Sequence, residues 1–191
     1  MKISLQAKNN SFIKIIFFLS FITFTEYSLQ AQLAVFKMVG KNSTNSKLGF
    51  GTFVYWDFPV NEVQNNSVMI ELMDFAFFPP KDDNIVSPIG YLSIKAGFKH
   101  IFSEESKTGF YIEPSAGYCR VVTNDDINKS YGDGVAVAAE AGYSLEVGQR
   151  ANTLVLGLKY ESDMAGGNNK INAISLRLSY SFHLFRKRTD Y

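Results

Sequence analysis

Residues 172–185 read Asn-Ala-Ile-Ser-Leu-Arg-Leu-Ser-Tyr-Ser-Phe-His-Leu-Phe. From Ile174 every second residue is apolar or aromatic: Ile174, Leu176, Leu178, Tyr180, Phe182 and Leu184. Ser175, Arg177, Ser179, Ser181 and His183 stand between them. A period of two is the signature of a β-strand, because successive side chains leave opposite faces of the backbone. A strand this long, apolar on one face and polar on the other, suits lipid on one side and a polar interior on the other.

Seven further runs of the same kind precede it, at 32–40, 48–58, 67–78, 89–102, 109–122, 134–148 and 153–162. Turn-rich pieces separate them, among them Lys41 to Ser46, Pro79 to Asn84 and Gly166 to Asn169. The first run alternates weakly, since Leu33, Val35 and Val39 share a face with Lys37. In the third, Asp74 falls on the apolar face by simple parity. In the fifth, Pro114 sits mid-run, although prolines belong at edges or bulges. The connection 123–133 reads as the longest and most polar.

The chain ahead of these runs has a different character. Lys2, Lys8 and Lys14 lead into an apolar stretch, Ile15 to Phe24, and small Ala31 follows a polar piece. The stretch is half of the roughly 20 residues a spanning helix needs. A basic end, a short apolar middle and a small-residue exit describe a cleaved secretory signal, expected over 1–31, which leaves 32–191 as the exported domain.

Composition narrows the function classes. A net charge of +1 builds no field for nucleic acid, and none is expected as a partner. A single Cys119 excludes an internal disulfide framework and a thiolate-rich metal site, and no cofactor is expected. Aromatics at 15% are high for a water-soluble domain and suit a membrane interface.

Which face lies inside decides between two barrels. A lipocalin-like carrier packs its apolar face inward. Here the opposite face is rich in Gly, Ala and Ser with isolated charges: Glu71, Lys95, Glu113, Glu140, Lys159 and Arg177. Small residues fit the narrow lumen of an eight-stranded barrel, and the balanced signs predict a charge network paired across it. Glu71, Lys95, Glu140 and Arg177 are expected near mid-membrane, with Lys99, Glu113, Glu146 and His183 toward one end. Most runs also reach the roughly 9–11 residues that a tilted strand needs to cross a bilayer. Trp56, Phe58, Phe98, Phe102, Phe110, Tyr143, Tyr160, Phe182 and Phe185 suit aromatic girdles. The expected fold is an all-β, eight-stranded antiparallel up-and-down transmembrane β-barrel.

In this pattern the chain resembles the small OmpA/OmpX-like outer-membrane β-barrel proteins. The resemblance implies an outer-membrane location in a Gram-negative envelope, with outer-membrane lipid and lipopolysaccharide around the wall. It also implies that the aromatic last strand, through Tyr180, Phe182 and Phe185, serves as the signal read by the barrel-insertion machinery. Six residues follow Phe185, so either Phe185 or Tyr191 can supply the terminal aromatic. With the chain starting in the periplasm, connections near 41–46, 79–88, 123–133 and 163–171 face outward, and those near 59–66, 103–108 and 149–152 face inward.

Candidate chemistry is sparse. His100 and Ser103 near Glu104 and Glu105 could serve a lipid hydrolase, as in the deacylase-like barrels, yet they sit at a periplasmic turn while such enzymes act on the outer leaflet. Asp82, Asp83, Asp125, Asp126 and Asp133 lack calcium-loop spacing and read as solvated loop acids, so no metal site is expected. The expected function is a structural or surface-interaction barrel that meets an extracellular ligand through its outer loops, with no catalytic residue. A lipid-hydrolysing barrel and a soluble lipocalin-like carrier are the alternatives.

Overall fold

A computed structural model of the chain describes residues 29–40, 46–81, 88–103, 108–123, 131–147, 152–165 and 170–182. They form eight strands: β1 (Leu29–Val39), β2 (Gly49–Pro59), β3 (Asn66–Phe78), β4 (Ile89–Ile101), β5 (Gly109–Thr123), β6 (Tyr131–Val147), β7 (Asn152–Ala165) and β8 (Lys170–Phe182). Each pairs antiparallel with its sequence neighbour, and β1 closes on β8, giving a closed eight-stranded barrel. The closing ladder runs from Leu29↔Phe182 to Val39↔Asn172. The ladder between β1 and β2 is short, from Gln32↔Phe53 to Phe36↔Gly49. Both described chain ends lie at one rim, called here the terminal rim; the opposite one is the distal rim.

The wall is apolar outside and polar inside. Leu33 (73% exposed), Ile94, Leu156, Leu158, Leu176 and Leu178 point outward, while Glu71, Asp74, Lys95, Lys159 and Arg177 are no more than 2% exposed. A water-soluble barrel has the reverse order. Aromatic pairs stand on the outside near both rims: Phe102 and Phe110 stack at 5.7 Å and Trp56 meets Phe58 edge-on at the terminal rim, and Phe50 meets Phe77 toward the distal one.

Three details differ from simple parity. First, Asp74 faces the lumen. Tyr55 pairs with Glu71 and Val54 with Met73, so Leu72 is an extra residue and the ladder shifts register there. That β-bulge reverses the phase of the rest of β3, turning Asp74, Ala76 and Phe78 inward and Met73 and Phe75 outward. Second, β6 begins at Tyr131 and β7 runs to Ala165, so the connection after β5 spans only 124–130 and the one after β3, at 79–88, is longer. Polar residues such as Asp133 and Asp163 join the ladder because a rim strand needs only backbone pairing. Third, Pro114 lies inside β5, facing outward. Its missing N–H is consistent with the skip in the β4–β5 pairing, from Gly97↔Ser115 to His100↔Ile112.

The expected leader lies almost wholly outside the described residues, and β1 already starts at Leu29.

Candidate functional site

The lumen holds the only dense chemistry among the described residues, and it is layered. At the distal rim Phe36, Met38, Phe78, Tyr91, Val121 and Ile171 form an apolar cap. Phe36 meets Phe78 and Tyr91 edge-on at 6.1 and 5.9 Å, and Phe78 stacks on Tyr91 at 6.2 Å. Edge-on and offset rings are the favoured arrangements for packed aromatics.

Beneath the cap lies an ion-pair network. Arg177 from β8 donates through Nη1 to Glu140 of β6 at 2.6 Å and through Nη2 to Glu71 of β3 at 2.8 Å. Its guanidinium also lies over the Phe53 ring, 3.2 Å from the centroid. Lys159 of β7 reaches Asp74 and Glu161, each at 2.6 Å, and Glu71 at 3.4 Å. Lys95 of β4 reaches Glu161 at 2.6 Å, Asp74 at 3.1 Å and the Ser93 hydroxyl at 2.6 Å. A buried charge is costly unless paired and hydrogen-bonded, and here each cation is shared among several carboxylates.

Small residues make room for these groups. Gly142 pairs with Gly157, and a Cβ on Gly157 would run into the Glu140 carboxylate and the Tyr111 hydroxyl. Tyr111 uses that space to donate its hydroxyl to Glu140.

Toward the terminal rim the lumen is looser. Lys99 lies 3.8 Å from Asp57 and 4.5 Å from the Tyr111 ring centroid. Glu113 is buried and stands directly opposite Glu140 in the β5–β6 register. It takes part in no ion pair among the described residues, whereas Glu140 is turned to Arg177. Glu146 is exposed at the rim rather than gathered in the lumen, because β6 outruns the enclosed interior there.

The structure therefore brings five of the six sequence-derived lumen residues, Glu71, Lys95, Glu140, Lys159 and Arg177, into one set of contacts and leaves Glu113 beside it. Two central members were missed. Glu161 shares the parity of Lys159 on β7 and was legible from it. Asp74 was not, since only the bulge turns it inward. In the last strand, the Tyr180 hydroxyl accepts from Asn152 at 2.8 Å, and Phe182 ends β8 opposite Leu29. His183 and Phe185 lie outside the described residues.

Elsewhere the candidates find structural partners. His100 Nδ1 pairs with Asn66 Oδ1 at 2.7 Å inside an asparagine web, in which Asn61 and Asn66 donate to Asn65 and Asn65 donates to the Ser103 carbonyl. Glu104 and Glu105 lie outside the described residues, as do Asp82, Asp83, Asp125 and Asp126. Asp133 pairs with Arg120 at 3.4 Å, both half exposed. Among the described residues no trio of His, Cys, Asp or Glu is placed to hold a metal ion.

No family model matches this chain, and no curated protein matches it by sequence. Solved structures do match its fold. Neisserial surface protein A (NspA) aligns with a TM-score of 0.60 at 18% identity, over 82% of this chain and 94% of that one. Ail, the attachment invasion locus protein of Yersinia pestis, solved in complex with the heparin analogue sucrose octasulfate, aligns with a TM-score of 0.51 at 15% identity, over 82% of this chain and 97% of that one. Both are small eight-stranded outer-membrane barrels, and at these identities what is shared is the fold.

Proposed function

We propose that this chain is a small outer-membrane barrel whose lumen is plugged by paired charges and whose biological contacts are made by the connections at one rim. The observation that carries the reading is the inverted wall: exposed Leu, Ile, Val and Phe all round, over an interior of buried Glu, Asp, Lys and Arg. Only hydrocarbon accepts such an exterior, and only a closed barrel or a helix leaves no backbone group unpaired in lipid. The fold shared with NspA and Ail supports the same location. The first 31 residues would act as the export signal, 32–191 would form the barrel, and Tyr180, Phe182 and Phe185 would be read by the barrel-insertion machinery.

The proposed role is structural or surface-interacting rather than enzymatic. The lipid-hydrolase candidate His100 stands in the asparagine web of the terminal rim, the end proposed to face the periplasm, whereas lipid-hydrolysing barrels act on the outer leaflet. A soluble carrier needs an apolar lumen, and this one is charged across its middle. With the distal rim outward, lipopolysaccharide would surround the wall, and an extracellular ligand would meet the connections after β1, β3, β5 and β7. Exposed Lys37, Lys47, Lys81 and Lys170 stand at that rim, so a sulfated saccharide of the kind bound to Ail is the first ligand to try.

Membrane fractionation with gel mobility before and after boiling tests the location. A membrane-bound protein whose band shifts on boiling supports the barrel in lipid. Recovery in the aqueous fraction without a shift overturns it. Planar-bilayer recordings test the plug: the expected conductance is at background, and steady open channels would refute it.

A further inference from the structure

We propose that the outer wall over β5 to β8 carries a groove that seats one acyl chain of lipopolysaccharide, with Lys37 holding a phosphate of the same molecule. The inference rests on the proposed location in the outer membrane with the distal rim outward. A depression of about 460 Å³, the size of a ligand cleft, opens on the outside of the barrel. Pro114, Ala139 and Ala141 form its floor, and Leu158, Tyr160 and Ile174 stand around them. The floor is low because its three side chains are short, while each of the larger three is at least 40% exposed.

The register gives the groove a direction. Lys37 pairs with Ile174, Ile174 with Tyr160, Tyr160 with Ala139 and Ala139 with Pro114. Strands tilt in a closed barrel, so a row of direct partners crosses the wall at an angle. Lys37 is two residues from the distal end of β1, and Pro114 is five residues from the terminal-rim start of β5. The groove therefore descends from beneath the distal rim, the path of a chain hung from a headgroup at that rim. From Ile174 to Pro114 it crosses three strand spacings, about 14 Å. Charge completes the match. Lys37 is exposed on the apolar face of β1, in line with Val35 and Val39. No Asp or Glu occurs in residues 29–56 or 164–176, whereas exposed Lys47 and Lys170 do. A lysine on a lipid-facing wall lays its stem on the apolar surface and lifts its ammonium to the headgroups. There a phosphate supplies the negative charge that this sector lacks.

The test reads lipid retention. Protein extracted from membranes is stripped of lipid in detergent, incubated with purified lipid A, and examined by native mass spectrometry for barrels carrying one lipid. Wild type is expected to retain one lipid A in preference to its dephosphorylated form and to phosphatidylglycerol at equal concentration. Ala139→Phe, which raises the floor, should retain about tenfold less. Lys37→Gln should retain about fivefold less and lose the preference for the phosphorylated form; it decides the matter if the first variant does not assemble. Leu156→Phe, on the same wall outside the groove, should retain as much as wild type. Equal retention in wild type and both groove variants overturns the site. So does an equal loss in Leu156→Phe, or a preference for phosphatidylglycerol. A barrel that shifts on boiling yet fails these tests sinks the groove alone, whereas a protein recovered only in the aqueous fraction sinks the location first.

Discussion

Two layers of one lumen, the distal cap and the ion-pair network beneath it, are equally enclosed and differently built. The cap is a set of rings and aliphatic chains whose contacts add up one by one, so a loss in one place leaves the others intact. The network is a closed set of obligations. Arg177 serves Glu71 and Glu140, Lys159 serves Asp74 and Glu161, and Lys95 joins the last two again. Removing one of its cations leaves buried carboxylates under-compensated, with no water to fall back on. The network thus specifies one arrangement sharply, while the cap mainly fills space.

The widest separation between the two should appear in Arg177→Ala. Leaving Glu140 without its cation and Glu71 with only the longer contacts to Lys159 and Lys95 should cost about 3–5 kcal/mol, the usual penalty for breaking a buried pair from one side, read as a lower urea midpoint for unfolding from micelles. A loss below 1 kcal/mol would mean that water already enters the middle of the lumen. Next comes a control on the opposite face of the same strand. Leu176→Arg puts a charge where lipid is proposed and should cost about 2–4 kcal/mol in bilayers, while leaving stability in aqueous micelle headgroup regions less affected. Indifference in bilayers would break the lipid-facing assignment.

Phe78→Leu in the cap should be milder, less than about 1.5 kcal/mol, because a near-size apolar exchange can repack. A cost as large as that of the arginine variant would show that the cap is as tightly specified as the network. The smallest effect is expected from Asn65→Ala in the terminal-rim web, about 1 kcal/mol for lost hydrogen bonds, with faster amide exchange at Ile101, whose N–H donates to the Asn65 carbonyl.

The two layers also differ in how readable they were. Strict alternation in β4, β6, β7 and β8 put Lys95, Glu140, Lys159 and Arg177 on one face, so most of the network could be read by counting in twos. The count fails where the chain inserts a residue: Leu72 breaks the phase, and Asp74, which contacts both lysines, was assigned to the wrong side. The cap was hidden for another reason. Phe36 and Met38 alternate with Val35, Lys37 and Val39, so β1 offers apolar residues on both faces and no contrast to read. Nor does any local signal tell that Phe36, Phe78 and Tyr91, from three strands, converge at one rim. Pairing order across the barrel does that, and it is a property of the closed sheet.

The closing ladder between β1 and β8 has a kinetic meaning. Every other seam joins strands whose connection is ten residues or fewer, whereas Leu29↔Phe182 joins the two ends of the described chain. Loop-closure entropy grows with the logarithm of the span, so this seam starts roughly 3 kcal/mol behind a hairpin. Folding should therefore wait on it, as it does in proteins dominated by distant contacts. Until it forms, β1 and β8 are bare edges, and β1 is held on its other side by only a short row of pairs. A chain paused at that stage is a curled sheet ready to pair with any strand it meets. Its fate is decided by how quickly its first strand finds its last.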